Sequence, residues 1–261
     1  MKMKVKTLAC LCALAAIPAF GTEAVTSANT FGVLKVECSA KKVIIATPWV
    51  KCGDASSAVN VTDLVMTDNL SEGDTIIVSV GGTFKGWISD SGKAWQPLLV
   101  SAEDSQTAYG AAVSSGSASD SAIARGRAFW FVKNSYSSGT YDVYLYGQDT
   151  SAAATSTVAA GTSGSPAYSL VASPKTTAAD LNAVGTFGFT PNAADEIRVP
   201  RYNLPDLVYT YKATELGWGT STSVQIGETG RYKKVWTKGC TIPAGTGFWY
   251  VSKGGSGTIT W

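Results

Sequence analysis

Ile123-Ala124-Arg125-Gly126-Arg127-Ala128-Phe129-Trp130-Phe131-Val132 returns late in the chain as Ile242-Pro243-Ala244-Gly245-Thr246-Gly247-Phe248-Trp249-Tyr250-Val251. Ile, Gly, Phe, Trp and Val keep their offsets, and the residue between Trp and Val is aromatic both times. Side chains alternate along a strand, so Phe129 and Phe131 share one face while Trp130 and Val132 share the other. Both faces are apolar, which predicts a central strand covered on both sides. The preceding Gly126 or Gly245 suits a tight turn that needs positive φ or a close backbone approach. Gly126, Phe129 and Trp130, with Gly245, Phe248 and Trp249, are therefore expected in the structural core, because buried aromatic side chains contribute large areas. The competing reading makes Trp130 and Trp249 a stacking platform for a flat ligand such as a sugar ring. Recurrence favours the core, since duplicated folds must preserve their cores and need not preserve two sites.

Outward from the signature, further pairs recur in the same order. Ile44-Ile45-Ala46-Thr47-Pro48 is answered by Leu170-Val171-Ala172-Ser173-Pro174, Asn69-Leu70 with Asp74 by Asn203-Leu204 with Asp206, Gly86-Trp87 by Gly217-Trp218, and Trp95 by Trp236. A fixed order with drifting spacing is what an internal duplication leaves behind. The strands Thr75–Val80 and Leu207–Tyr211 fall at matching places, and short helical stretches are expected around Val61–Val65 and Ala178–Val184. Units are placed at 41–148 and 168–261, joined by a Ser/Thr/Ala/Gly-rich linker at 149–167. The segment 101–121 in the first unit reads as a long surface loop. Ahead of the units, residues 22–40 carry a first strand, Phe31–Cys38, without an evident later copy, and it is expected to form a hairpin with Val43–Thr47. Short strands separated by Gly, Ser, Asn and Pro, with no long helical periodicity, give an all-β class: internally duplicated β-sandwich or small barrel-like units, either in tandem or as one pseudo-symmetric domain.

The first residues indicate the compartment. A basic Met1–Lys6, an apolar Leu8–Ile17 and Ala19-Phe20-Gly21 have the three-part form of a secretory signal peptide over residues 1–21. The expected destination is the periplasm, the cell surface or the medium. Removing this segment takes away three lysines, lowering Lys+Arg from 21 to 18 against 19 acids, a formal charge of −1. No basic stripe remains for nucleic acid, and no stretch reaches the roughly 20 apolar residues of a membrane helix. Cys38, Cys52 and Cys240 remain, an odd number that permits one disulfide of undetermined pairing.

The 261 residues include no histidine, which removes Ser-His-Asp, Cys-His and histidine-metal chemistry. The densest acids, Asp63, Asp68, Glu72 and Asp74, sit around a predicted turn where solvated carboxylates are common, so neither catalysis nor a metal is expected there. No cofactor is implied. Candidate ligand-facing residues are Trp87 and Trp218 beside glycines, the unrepeated Trp49 and Trp261, and Tyr144 within the run Tyr136, Tyr141, Tyr144 and Tyr146.

The plan of a signal peptide, then "TFGVLKV…IIATPWV", then repeated GxxFW[FY]V strands, resembles a group of exported β-rich bacterial proteins to which no activity is attached. The resemblance implies export and a β fold and carries no catalytic residues over. The expectation is a non-enzymatic structural or interaction module of the cell envelope or exterior, with protein or glycan partners at the cell surface. A carbohydrate-binding protein using exposed Trp and Tyr is the alternative, and an outer-membrane β-barrel is the second alternative.

Overall fold

The signature strand lies at the centre of each half, as β10 (Ala128–Val132) and β20 (Gly247–Ser252), with a strand hydrogen-bonded on either side. The computed structural model describes residues 31–49, 58–66, 69–80, 83–98, 107–108, 111–148, 154–183, 187–201, 204–226 and 231–261. The protein is nearly all β, built from several antiparallel sheets, and among the described residues none of them closes into a barrel.

In the first half β10 lies between β2 (Lys42–Ala46) and β4 (Thr75–Val80); β4 then pairs β5 (Thr83–Ser89), whose outer edge takes β6 (Trp95–Pro97) and β8 (Ala111–Ser115). β7 (Thr107–Ala108) pairs β8. Two ribbons accompany the sheet: β1 (Phe31–Cys38) with β11 (Tyr141–Gln148), and β3 (Ala58–Asn60) with β9 (Ala122–Ala124). The one α-helical turn among the described residues, α1, is Val61–Leu64.

The second half follows the same pairing order. β20 lies between β13 (Ala167–Ala172) and β15 (Glu196–Arg201), followed by β16 (Leu204–Lys212), β17 (Gly217–Ile226) and β18 (Arg231–Lys238). Its ribbons are β12 (Thr155–Val158) with β21 (Gly257–Thr260), and β14 (Ala179–Asp180) with β19 (Thr241–Ile242).

Several expectations change. β1 pairs β11 rather than β2, because the alternating Val36 and Cys38 are needed under the sheet with Val143 and Leu145. Its later counterpart is β12, inside the expected linker, where Ser156 and Val158 are buried. The second half therefore starts before 168. The described part of the expected helical stretch Ala178–Val184 is instead strand β14 followed by a turn at 181–183, since Ala179 pairs Ile242. The described part of 101–121 includes strand β8 and is not a free loop.

The registers correct the sequence pairing as well. Trp130 faces Ile77, which faces Gly86, while Trp249 faces Arg198, which faces Val208. Asp74 therefore corresponds to Asp195, Trp87 to Tyr209 and Trp95 to Trp218. Gly86-Trp87 on β5 therefore matches Val208-Tyr209 on β16, while Gly217-Trp218 lies one strand further out, on β17.

Alternation sorts the signature's side chains as expected. Phe129 and Phe131 enter the first half's core with Ile45, Ile76, Trp87 and Leu145. Phe248 and Tyr250 enter the second half's core with Val171, Ile197, Trp218 and Ile259. The opposite faces meet in a third cluster, where Ile44, Ala46 and Trp130 pack with Ala172, Leu170 and Trp249. The rings of Trp130 and Trp249 lie 5.7 Å apart.

Backbone groups complete this joint reciprocally: Ala46 N donates to Gly245 O at 2.9 Å, and the corresponding Ala172 N to Gly126 O at 3.1 Å. Both glycines are left-handed, with φ +86° at Gly126 and +72° at Gly245.

Candidate functional site

Most tryptophans proposed as ligand-facing are internal. Trp49, Trp87 and Trp218 are buried, Trp87 against the first core and Trp218 among Tyr211, Phe187 and Tyr250. A ligand cannot stack on a ring already covered on both faces, so these three leave the set. Trp261 is half-buried at the joint, its Nε1 donating to Ser156 Oγ at 3.2 Å, and Ser156 Oγ in turn donates to Gly126 O. Tyr144 is half-buried beside Asp142, whose Oδ2 accepts from its hydroxyl at 3.4 Å. Tyr136 and Tyr141 donate to Ser39 O and Ala40 O, tying down the approach to β2. Their polar tips are used internally.

Within the acidic cluster, Asp74 is held by structural bonds. Asp74 is fully buried and accepts from Ser71 N, Asn134 N and Lys133 Nζ at 2.9, 2.9 and 2.7 Å. Burial of a carboxylate is tolerated only with such compensation. Asp63 accepts from Asn60 Nδ2 at 3.2 Å, Glu72 is exposed, and Asp68 lies outside the described residues. Among the described residues no three His, Cys, Asp or Glu are grouped to hold a metal ion.

Cys38 and Cys240 are free thiols buried in different cores, so no disulfide joins them; Cys52 lies outside the described residues. Burial pushes the Cys38 thiol up to about 12 and raises Cys240 as well. Neither is a nucleophile, because the thiolate is the reactive form.

The site that does form lies between the halves. A cavity of about 740 Å³ is lined by Trp249, Tyr168, Leu170, Phe84, Arg127, Arg198 and Asp206, with the hydroxyl-bearing Ser79, Thr157 and Ser169. Trp249, expected wholly in the core, is half-buried, and Tyr168 is 56% exposed. Their rings stand 6.1 Å apart at 85°, forming an aromatic corner. Strand alternation puts Tyr168, Trp249 and Arg198 on the same sheet face, since Trp249 pairs both Leu170 and Arg198.

Arg198 is fixed before any ligand arrives. Its Nε and Nη2 donate to Glu196 Oε2 at 2.8 and 2.6 Å, while Glu196 Oε1 accepts from Lys253 Nζ. The Glu196 bond raises the Arg198 pKa; burial opposes ionisation of Glu196, but the bonds from Lys253 and Arg198 outweigh it and hold its carboxyl below the usual range. A clamped guanidinium pays little ordering entropy when it binds.

The first half shows why the cleft exists. At the position of Arg198 it has Ile77, at Val208 it has Gly86, and over that face lie Leu98 and Val113, 5% and 2% exposed, in one cluster with Trp130. A side chain on Gly86 would meet Leu98 at 2.8 Å and Val113 at 3.0 Å, so the glycine makes room for the cover. Trp130, sealed beneath and touching Phe84 edge-on at 5.2 Å, is 0% exposed. In the second half Val208 is 36% exposed and Trp249 opens to the cavity.

Sequence reasoning missed Tyr168, Arg198 and Asp206. The signal was present: once Asp74 is set against Asp195, "DTIIVSV" lies over "DEIRVPR", and an arginine replaces a core isoleucine. Comparison with protein-family models, with curated proteins and with solved structures found no match, so the site is read from its geometry alone.

Proposed function

We propose that the protein is exported, loses residues 1–21, and acts in the envelope or outside the cell as a non-enzymatic interaction module whose ligand sits in the cleft between the halves. One observation carries this reading: the same sheet face is sealed over Trp130 by Leu98 and Val113 and open over Trp249. A half-buried tryptophan lining a cavity beside a preset arginine has the composition of a binding site, mostly apolar with a few placed polar groups. The volume falls within the roughly 300–1,000 Å³ of small-molecule sites. The chain's lack of histidine and the structural use of Asp74 support binding over turnover. We further infer that the two halves descend from one duplicated unit, the second keeping the face that the first covered.

The test has two arms. Mass spectrometry of the exported fraction should find a chain beginning at Thr22, and an intact Met1 there removes the export reading. Purified mature chain incubated with oligosaccharide, peptide and nucleoside panels should retain a ligand and return it chemically unchanged. A ligand recovered as product overturns the non-enzymatic reading.

A further inference from the structure

The cleft's lining also selects a ligand class. Its charges come within one of balance: Glu196 is shared between Arg198 and Lys253, and Arg127 stands in the same cavity as Asp206. A strongly anionic ligand would meet the Asp206 carboxylate, and a cationic one would meet two guanidinium groups. The lining favours a neutral ligand. Three aromatic residues, Trp249, Tyr168 and Phe84, offer flat apolar faces or edges, while Ser79, Thr157, Ser169, Asp206 and both arginines offer donors and acceptors around them. A molecule that matches both must carry one apolar face and a rim of hydroxyl groups.

We propose that this cleft binds a neutral glycan, one pyranose ring stacking on Trp249 with Tyr168 standing against its edge, and ring hydroxyls bonding to Arg198 and Asp206. The proposal rests on the cleft being the ligand site. Arg198 donates with the N–H groups that Glu196 does not hold, and Asp206 accepts. The volume of about 740 Å³ is larger than a single sugar ring needs, so the ligand is an oligosaccharide segment.

The quasi-equivalent cleft on the other side of the joint makes an internal control. It measures about 400 Å³, and where the first cleft has Tyr168, Arg127 and Ser79 it has Lys42, Thr246 and Pro200. None of its described lining residues is aromatic. It lacks the stacking face, and glycan binding is confined to the Trp249 side.

The experiment is isothermal titration of the mature chain with neutral oligosaccharides of the β-1,4-glucan, chitin, xylan and α-1,4-glucan types, alongside an anionic polyuronate and adenosine. A neutral glycan is expected to bind one per chain. Tyr168→Ala and Asp206→Asn, both surface changes that leave the cores intact, should each weaken it about tenfold or more, the scale of losing an anchoring contact. Lys42→Ala in the quasi-equivalent cleft should leave binding unchanged. If none of the neutral glycans binds and the polyuronate or adenosine does, with the same sensitivity to Tyr168→Ala, the glycan class is overturned and the cleft reading stands. Binding of any of them that survives both cleft substitutions overturns the cleft reading itself, and an absence of binding throughout overturns the glycan proposal.

Discussion

Replacing Asp195 by Ala tests whether a buried carboxylate organises the second half. Asp195 is fully buried and gathers Tyr250 Oη at 2.7 Å, Asn192 N at 2.9 Å, Lys253 N at 2.6 Å and Gly255 N at 3.4 Å. These bonds tie the start of β15 to the end of β20, the central strand. Asn192 N and Lys253 N are only partly buried and can turn to water, whereas Tyr250 Oη and Gly255 N cannot. Two orphaned buried donors at about 1–3 kcal/mol each give a loss of about 2–6 kcal/mol. That is a large share of the roughly 5–15 kcal/mol that holds a domain folded. Guanidinium unfolding should show the midpoint falling at constant m. Adding Tyr250→Phe removes one orphan, so the double variant should be more stable than the sum of the two singles by about 1–3 kcal/mol. A single-variant loss below about 1 kcal/mol, or strict additivity in the cycle, refutes the reasoning. The first half offers a comparison: Phe131 has no hydroxyl at the place of Tyr250, and Lys133 Nζ makes the equivalent bond to Asp74. Because that ammonium can swing into solvent, Asp74→Ala should cost less than Asp195→Ala.

The two turn glycines should respond unequally to alanine. A Cβ on Gly245 would stand 2.6 Å from Val36 Cγ2, whereas one on Gly126 meets nothing closer than 3.4 Å. Both substitutions carry the cost of positive φ, about 1–2 kcal/mol, and Gly245→Ala should lose at least 1 kcal/mol more in thermal unfolding; equal losses would show that the joint yields freely. Cys38 should resist alkylation at pH 8 in the native protein and react once unfolded. Its folded pKa is raised above 9.0 to about 12, so the stability it contributes is present below pH 9 and is lost between about pH 9 and 12 as the unfolded thiol ionises first. The stability deficit of Cys38→Ala relative to the parent should therefore shrink across that window, and a deficit independent of pH would contradict it. Val113→Ala removes two methyl groups from the cover over Trp130 and should cost about 1–3 kcal/mol by chemical denaturation; a loss under about 0.5 kcal/mol would mean the cover is not packed.

How much of this was legible depends on what each residue does twice. The signature strands could be read because Phe129 and Phe248 meet the same demand, a core on one face, while Trp130 and Trp249 share the joint on the other. The Asp74 and Asp195 correspondence was hidden because single letters such as Asn-Leu and Gly-Trp gave a rival alignment, and a buried carboxylate is indistinguishable from a solvated one without its partners. β12 was hidden for a different reason. Thr155-Ser156-Thr157-Val158 has a linker's composition, yet its Ser156 hydroxyl bonds to Gly126 O and its backbone pairs β21. Among the described residues, the second half has no counterpart of the segment that supplies Val113 to the first. A missing cover leaves no residues of its own to read, and only the change from Ile77 to Arg198 records it.

The crossed bonds of Ala46 to Gly245 and Ala172 to Gly126 bear on assembly. Each contact is made once in each direction, which is the self-complementarity of an isologous dimer interface held within one chain. A polypeptide comprising a single half would expose the Trp-bearing face and the unmatched Ala N–H and Gly C=O groups together, and two such polypeptides could satisfy one another across a true two-fold axis. Within one chain the two faces need not match, because a substitution appears on one side of the axis alone. An asymmetric pocket at a symmetric joint is something a homodimer of halves could not have acquired.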